Sequence, residues 1–196
     1  MRKYLVLILS VVVLGFNAAQ AKVVSNESID NAKVENANRI ILQLQKELPE
    51  HIKNGSGPFL AAIYDENGNL IAKTSNSVVS ETCSNNHAEM NAIKVAEKKL
   101  NTYDLSQYNL SIYVTSEPCI MCLGGIMWSG IKNVYYGVPS KKVEKITGFD
   151  EGFKPNWFDE FKNRGIIVYG NIETKAGEKV LRDYVKDGHK VYRPER

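Results

Sequence analysis

HAE (residues 87–89) and PCIMC (residues 118–122) are the two segments from which the fold and the chemistry can be inferred most directly. Together they supply one histidine, two cysteines three positions apart, and one carboxylate next to the histidine. Three such ligands can hold a zinc ion and leave its fourth coordination position to water, whereas structural zinc sites usually have four protein ligands. The pattern therefore predicts a catalytic Zn²⁺ site formed by His87, Cys119 and Cys122.

Each motif has a common alternative interpretation when it is taken alone. Cys-x-x-Cys also occurs in redox proteins and structural zinc sites, and His-x-Glu at a helix start is often a cap followed by a solvent-exposed charge. The combination of H-x-E with a later P-C-x-x-C is instead typical of zinc-dependent base and nucleoside deaminases. In this interpretation Glu89 is a catalytic residue that shuttles protons for a zinc-bound hydroxide.

The first 21 residues have the composition of a secretory signal peptide. Arg2 and Lys3 precede an apolar run over residues 4–16, and AQA at residues 19–21 matches a small-residue cleavage site. The run is shorter than the roughly 20 apolar residues that a membrane-spanning helix needs. We therefore expect cleavage after Ala21, export to the periplasm or the exterior, and no membrane attachment of the mature protein.

The charge of the mature chain gives little reason to expect nucleic-acid binding. The full chain of 196 residues has 25 basic and 22 acidic side chains, which gives a formal net charge of +3. Removal of Arg2 and Lys3 leaves 25 − 2 = 23 basic side chains and a charge of +1. A near-neutral protein lacks the basic surface that attracts nucleic acid, so a small-molecule substrate is expected.

The order of predicted elements indicates one α/β domain behind an N-terminal helix. We divide the mature chain into an N-terminal helix region (22–50) and a zinc-dependent domain (51–196). An amphipathic helix is predicted over residues 28–48 and should stop at Pro49. Residues 76–86 are predicted to be a loop. Strands are predicted over 59–64, 70–75, 110–115, 133–138 and 166–172, and further helices over 87–100, 119–130 and 174–186.

Both metal-binding segments are predicted to lie at helix N-termini. Free N–H groups and the helix dipole favour negative charge there, which should lower the pKa of the two cysteines toward the thiolate form that binds zinc. A separation of three residues is about one helical turn, so Cys119 and Cys122 can approach one ion. Glu89 can lie beside the bound water without coordinating the metal. Cys83 remains outside this set: a single leftover cysteine is most often an ordinary thiol and less often a reactive one.

From about Gly57 to Phe153 the chain resembles the cytidine deaminase superfamily. The resemblance is to the branch that contains bacterial guanine deaminases, tRNA adenosine deaminases and fungal-type cytosine deaminases. Residues 57–59 (GPF), Asn76, the two zinc motifs and residues 121–125 (MCLGG) carry it. It implies a three-layer α/β/α fold with a mixed five-stranded sheet, a bound zinc ion and assembly as a homodimer.

Within that branch, GFDEGF at residues 148–153 is most similar to guanine deaminases. The resemblance implies that Glu151 is a second acid that contacts the purine and shuttles protons. It also implies that Trp128 belongs to a guanine pocket, that the Asn76 amide binds the ring, and that Phe59 lies near the base. Each has a structural alternative: Asn76 as a turn residue, Trp128 and Phe59 as core, and Glu151 as part of a solvent-exposed loop.

The leading hypothesis is an exported zinc hydrolase that deaminates a free nucleobase, with guanine giving xanthine and ammonia. Cytosine, or another aminated heterocycle or nucleoside, is the alternative, because the same catalytic core serves both. A tRNA adenosine deaminase, a secreted deaminase toxin acting on nucleic acid, and a zinc-binding module without turnover are further hypotheses. Residues 81–86 and Leu60 depart from the common pattern of the superfamily, and no clear match follows Phe153.

Overall fold

The computed structural model describes residues 23–24 and 30–193, with side chains from residue 30 onward. The predicted signal peptide over residues 1–21 lies outside the described residues, as does the predicted helix start at residue 28. Within the part that is described, no helix is long and apolar enough to cross a membrane.

A mixed sheet forms the middle of the molecule. The strands are β1 (Val23–Val24), β2 (Leu60–Tyr64), β3 (Leu70–Ser75), β4 (Ser111–Ser116), β5 (Asn133–Val138) and β6 (Ile167–Tyr169). Their order in the sheet is β1-β6-β5-β4-β2-β3, with β4, β5 and β6 parallel and the other pairs antiparallel. The predicted five-stranded sheet corresponds to β2–β6 and is confirmed, and the two-residue β1 extends it at one edge.

Helices cover both faces of this sheet, as the predicted three-layer α/β/α fold requires. In β4, Ile112 and Val114 point to one face and Tyr113 to the other, because side chains alternate along a strand. The helices are α1 (Asn31–Lys53), α2 (Ala88–Leu100), α3 (Ile120–Ser129), α4 (Ser140–Thr147), α5 (Trp157–Asn163) and α6 (Thr174–Lys186). Helices α2, α3 and α5 pack on the first face, and α1, α4 and α6 pack on the second.

The prediction that Pro49 stops the first helix is wrong, because α1 continues through it to Lys53. A proline inside a helix removes one backbone hydrogen bond and costs about 3 kcal/mol. The turn after Pro49 carries Ile52, which is buried in the same apolar cluster as Leu48 and Leu44. Packing of this last turn against the sheet offsets the lost hydrogen bond.

Two helices between β5 and β6 were not predicted from the sequence. Helix α4 begins after Pro139 and ends at Gly148, whose φ of 76° is the left-handed conformation that glycine adopts most readily. Helix α5 buries Trp157 and Phe161, one turn apart, against the sheet. Both helices are only two turns long, so their apolar periodicity is too short to stand out in the sequence.

Candidate active site

The two metal-binding segments meet because each forms the start of a helix on the same side of the sheet. His87 is the N-cap of α2, and Cys119 is the N-cap of α3 directly after β4. The Thr74 hydroxyl donates to the Ala88 carbonyl at 2.7 Å and so attaches β3 to the first turn of α2. Parallel pairing of β4 with β5 places the start of α3 at the C-terminal edge of the sheet, where α/β proteins usually form their sites.

The three predicted ligand atoms form a nearly equilateral triangle. The Nδ1 atom of His87 lies 3.5 Å from the Sγ of Cys119 and 3.6 Å from the Sγ of Cys122, and the two sulfurs are 3.6 Å apart. Tetrahedral zinc with ordinary Zn–S and Zn–N distances separates such atoms by about 3.5–3.8 Å. The residues present therefore fit a zinc ion with three protein ligands.

The electrostatics of the triangle also suit a cation. A hydrogen bond with Cys122 lowers the pKa of the Cys119 thiol to about 4, assisted by His87. The same sulfur–sulfur hydrogen bond raises the pKa of Cys122 well above its ordinary value. Burial lowers the pKa of His87, but its hydrogen bond with Cys119 and the negative charges around it raise that pKa by more. The predicted lowering of the thiol pKa therefore holds for Cys119 and not for Cys122. Two thiols and an imidazole in hydrogen-bond contact are the donor set that zinc binds once their protons are released.

Glu89 lies in the first turn of α2 and is only 6% exposed. Burial raises the pKa of its carboxyl group, and the negative charge of Cys119 raises it further. A buried acid with a raised pKa accepts a proton more readily than an exposed one, which suits a group that takes up and delivers protons. Glu89 therefore has the position and the environment of a proton carrier beside the three ligand residues.

A cavity of about 300 Å³ opens directly above the three ligand residues. Its volume is at the lower end of the range for small-molecule sites. Among the residues predicted from sequence, Phe59, Asn76, His87, Glu89, Cys119 and Glu151 line it, whereas Cys122 is buried behind the surface. Residues that the sequence reasoning had not assigned also line it, among them Ser84, Ser116, Glu117, Phe149, Tyr192 and Arg193.

Asn76 is held at the end of β3 by backbone contacts on both sides. Its N–H donates to the Phe59 carbonyl at 3.0 Å, and its carbonyl accepts from the Gly57 N–H at 3.1 Å. A Cβ atom at position 57 would lie 2.8 Å from Asn76 Oδ1, so the glycine leaves room for this amide. The Asn76 Nδ2 donates to the Tyr192 hydroxyl at 2.6 Å, and Oδ1 accepts from the Val78 N–H at 3.3 Å.

Aromatic rings form one wall of the cavity. Phe149 packs edge-on against Phe59 and against Tyr192, with ring centroids 5.3 and 5.2 Å apart. Tyr192 also lies 6.2 Å from the ring of His87. No sequence signal pointed to Tyr192, because it reaches the cavity from the segment after α6, 116 positions beyond Asn76.

Glu151 enters the cavity from the loop that follows α4. Its side chain is almost completely buried, and burial raises its pKa to about 8, with Lys154 acting in the opposite direction. Asp150 beside it is exposed, also borders the cavity, and accepts from the Gly152 N–H at 3.0 Å. The loop therefore brings one buried and one exposed carboxyl group to the cavity.

Trp128, which was predicted to belong to the base pocket, does not line this cavity in the single chain. It lies near the end of α3 and is 84% exposed. Its assignment to the base pocket stays a prediction. Cys83, in the loop before α2, is a free thiol whose Sγ lies 2.9 Å from Asn85 Oδ1.

Comparison with known proteins places this geometry in a family. The family model for the cytidine and deoxycytidylate deaminase zinc-binding region matches residues 34–138. A guanine deaminase of Bacillus subtilis (strain 168) is 35% identical over 135 residues, which cover 69% of this chain and 76% of that protein. A tRNA-specific adenosine deaminase of Buchnera aphidicola subsp. Schizaphis graminum is 37% identical over 135 residues, which cover 69% of this chain and 84% of that protein. The solved structure of a guanine deaminase from Nitrosomonas europaea has a TM-score of 0.69 and 33% identity, covering 85% of this chain and 88% of that one.

Proposed function

Because this chain belongs to the family of cytidine and deoxycytidylate deaminases, which makes it a hydrolytic deaminase, we propose that its substrate is free guanine. Water would replace the exocyclic amino group, giving xanthine and ammonia. The observation that carries the proposal is the convergence of Asn76, Glu89 and Glu151 on one cavity with an aromatic wall. Similarity to two guanine deaminases supports the choice of base.

His87, Cys119 and Cys122 would hold the zinc ion. When bound, zinc lowers the pKa of a water molecule and so supplies the nucleophile for hydrolysis. The protein must then position the base and move protons.

Glu89 is placed to move those protons. It accepts one proton from the attacking water and delivers it to a ring nitrogen. It then moves the second proton of that water, carried by the hydroxyl group added to the ring, to the amino group, which departs as ammonia. General acid–base catalysis of this kind contributes about 10²–10⁴-fold to a rate. Burial raises the pKa of Glu89, which favours uptake of the proton from water.

The residues around the metal ligands would recognise the base. Phe59 and Phe149 offer ring faces and edges to a planar base, and Asn76 offers an amide at the ring edge. Guanine has N–H groups along one edge, and the Glu151 carboxyl group can accept from them. A buried carboxyl group loses free energy when its partner is missing, so bases without those donors should be discriminated against.

Cytosine deamination is the second candidate, since the ligand triangle and Glu89 act on the reacting amidine and not on the rest of the ring. Adenosine deamination in tRNA has support from the Buchnera relative. The near-neutral charge expected for the mature chain argues against a nucleic-acid partner.

A substrate panel tests the proposal. Purified, zinc-loaded protein would be incubated with guanine, guanosine, adenine, cytosine and cytidine, and ammonia release would be followed. Guanine is expected to give the highest kcat/KM. Faster turnover of cytosine would remove the guanine assignment and leave the deaminase assignment intact.

We also propose that the enzyme acts after export, on the basis of the signal-like composition of residues 1–21. N-terminal sequencing of protein recovered from the non-cytoplasmic fraction of a bacterial host would test this. A mature N-terminus at Lys22 is expected. Protein that retains residues 1–21 in the cytoplasmic fraction would contradict the proposal.

We further propose that the chain forms a homodimer through the outer face of α3. Ile120, Gly124 and Trp128 follow one another at four-residue intervals, and the two larger side chains are 42% and 84% exposed. A Cβ atom at Gly124 would meet nothing within 4 Å, so this face is open in the single chain. Light scattering of the wild type and of Trp128→Ser should show a dimer and a monomer, respectively. A monomeric wild type would contradict the proposal.

A further inference from the structure

Lys154 makes three polar contacts behind the wall of the cavity. Its Nζ lies 3.5 Å from Glu117 Oε1 and 3.8 Å from Glu151 Oε2, and it donates to the Ser140 hydroxyl. The Lys154 side chain is only 11% exposed. Exposed lysine ion pairs contribute little, but a buried ammonium group depends on its partners and they depend on it.

The three partners come from different segments around the site. Glu117 lies two residues before Cys119, and its Oε2 accepts from the Ser140 N–H at 3.0 Å, at the start of α4. Glu151 lies in the loop after α4. One ammonium group therefore connects the loop that leads to a metal ligand with the loop that carries the second acid.

The charge balance explains why this contact matters for Glu151. Glu117 and Glu151 are two carboxyl groups within reach of a single cation. Without Lys154, Glu151 would lose the ammonium group that lies 3.8 Å from its Oε2, and its carboxyl group could turn away from its present position. Burial raises the pKa of Glu151 to about 8, and the positive charge of Lys154 opposes this rise more strongly than that of His87.

Lys154 is not among the residues that line the cavity, although both of its carboxylate partners are. It lies behind the two carboxyl groups that face the cavity. We infer that Lys154 is a positioning residue that holds the Glu151 carboxyl group toward the substrate by sharing its charge between Glu151 and Glu117. This inference rests on the proposed function, because it assigns Lys154 to the recognition of the base.

A double-mutant cycle separates this role from ordinary packing. Lys154→Met would be made in the wild type and in Glu151→Gln, and kcat/KM would be measured with the base that the wild type turns over fastest. In the wild type we expect a loss of at least about tenfold. In the Glu151→Gln background we expect little further loss, because the group that Lys154 positions has already been replaced.

A conservative variant and a control complete the experiment. Lys154→Arg keeps the charge and should recover most of the activity, with an unfolding midpoint close to that of the wild type. Lys73→Met removes the lysine that pairs with Glu47 at 2.8 Å, away from the cavity, and should leave kcat/KM unchanged.

Two results would overturn the inference: an equal loss from Lys154→Met in both backgrounds, or a Lys154→Arg variant as impaired as Lys154→Met. Failure of the proposed function would instead be seen in the wild type, as preference for a base other than guanine. The cycle compares the loss of kcat/KM caused by Lys154→Met in the two backgrounds. It therefore tests the role of Lys154 with whichever base the wild type turns over.

Discussion

The Nδ1 atom of His87 lies 3.5 Å from the Sγ atom of Cys119, although 32 positions separate the two residues. This distance is what shared coordination of one zinc ion requires. We predict that freshly purified protein holds one zinc per chain and that Cys119→Ala weakens zinc binding by more than about 100-fold. Metal analysis after dialysis measures this. Cys83→Ser should keep its zinc, and undiminished zinc in Cys119→Ala would refute the assignment.

Replacement of Glu89 should separate metal binding from turnover. Glutamine has the shape of glutamate but cannot carry the proton, so Glu89→Gln should lower kcat by about 10²–10⁴-fold. Zinc content should not change, because Glu89 is outside the ligand triangle. Glu97→Gln, on the same helix but partly exposed, is the matched control and should behave like the wild type. Near-normal activity of Glu89→Gln would mean that another group moves the proton.

Glu151→Ala tests the choice of base. Removing this carboxyl group leaves the N–H edge of guanine without its acceptor, so kcat/KM on guanine should fall by at least about tenfold. Zinc content and the unfolding midpoint should change much less. Any activity on cytosine should be affected less than activity on guanine. A silent Glu151→Ala variant would exclude Glu151 from the base pocket.

The buried Glu151 carboxyl group also makes stability depend on pH. Burial raises its pKa from an ordinary value of 4.5 to about 8, so between these values the native state binds more protons than the unfolded state. Stability is therefore lost as pH rises through this window, by at most about 1.4 kcal/mol per pH unit from this group. The side chain in Glu151→Gln does not titrate, so this pH-dependent loss of stability is absent from the variant.

We accordingly expect the advantage of Glu151→Gln over the wild type to grow from about pH 5 to about pH 8 and then to level off. Urea unfolding of the metal-free proteins at several pH values measures it. Glu144→Gln, an exposed acid of α4, controls for the loss of one charge. A difference between Glu151→Gln and the wild type that stays constant with pH would show that Glu151 does not titrate in this window.

The sequence alone was sufficient for the features that depend on neighbouring residues. Cys119 and Cys122 are one helical turn apart, and His87 and Glu89 share the first turn of a helix, so their spacing already determines which atoms can converge. The bounds of β3, β5 and α6 agree with the predicted 70–75, 133–138 and 174–186, because apolar periodicity in these segments is strong and their ends carry turn residues.

Tertiary packing decided the features that depend on distant segments. Pro49 does not end α1, because the turn after it packs Ile52 into the core and so offsets the hydrogen bond that the proline removes. Tyr192 reaches Asn76, and Lys154 reaches Glu117, only because α6 and α4 return the chain to the metal-binding edge of the sheet. Residue type and local spacing do not show which distant segments come back to the same edge of the sheet. The sequence therefore determined the chemistry of the metal ligands, and the three-dimensional packing decided which other side chains surround them.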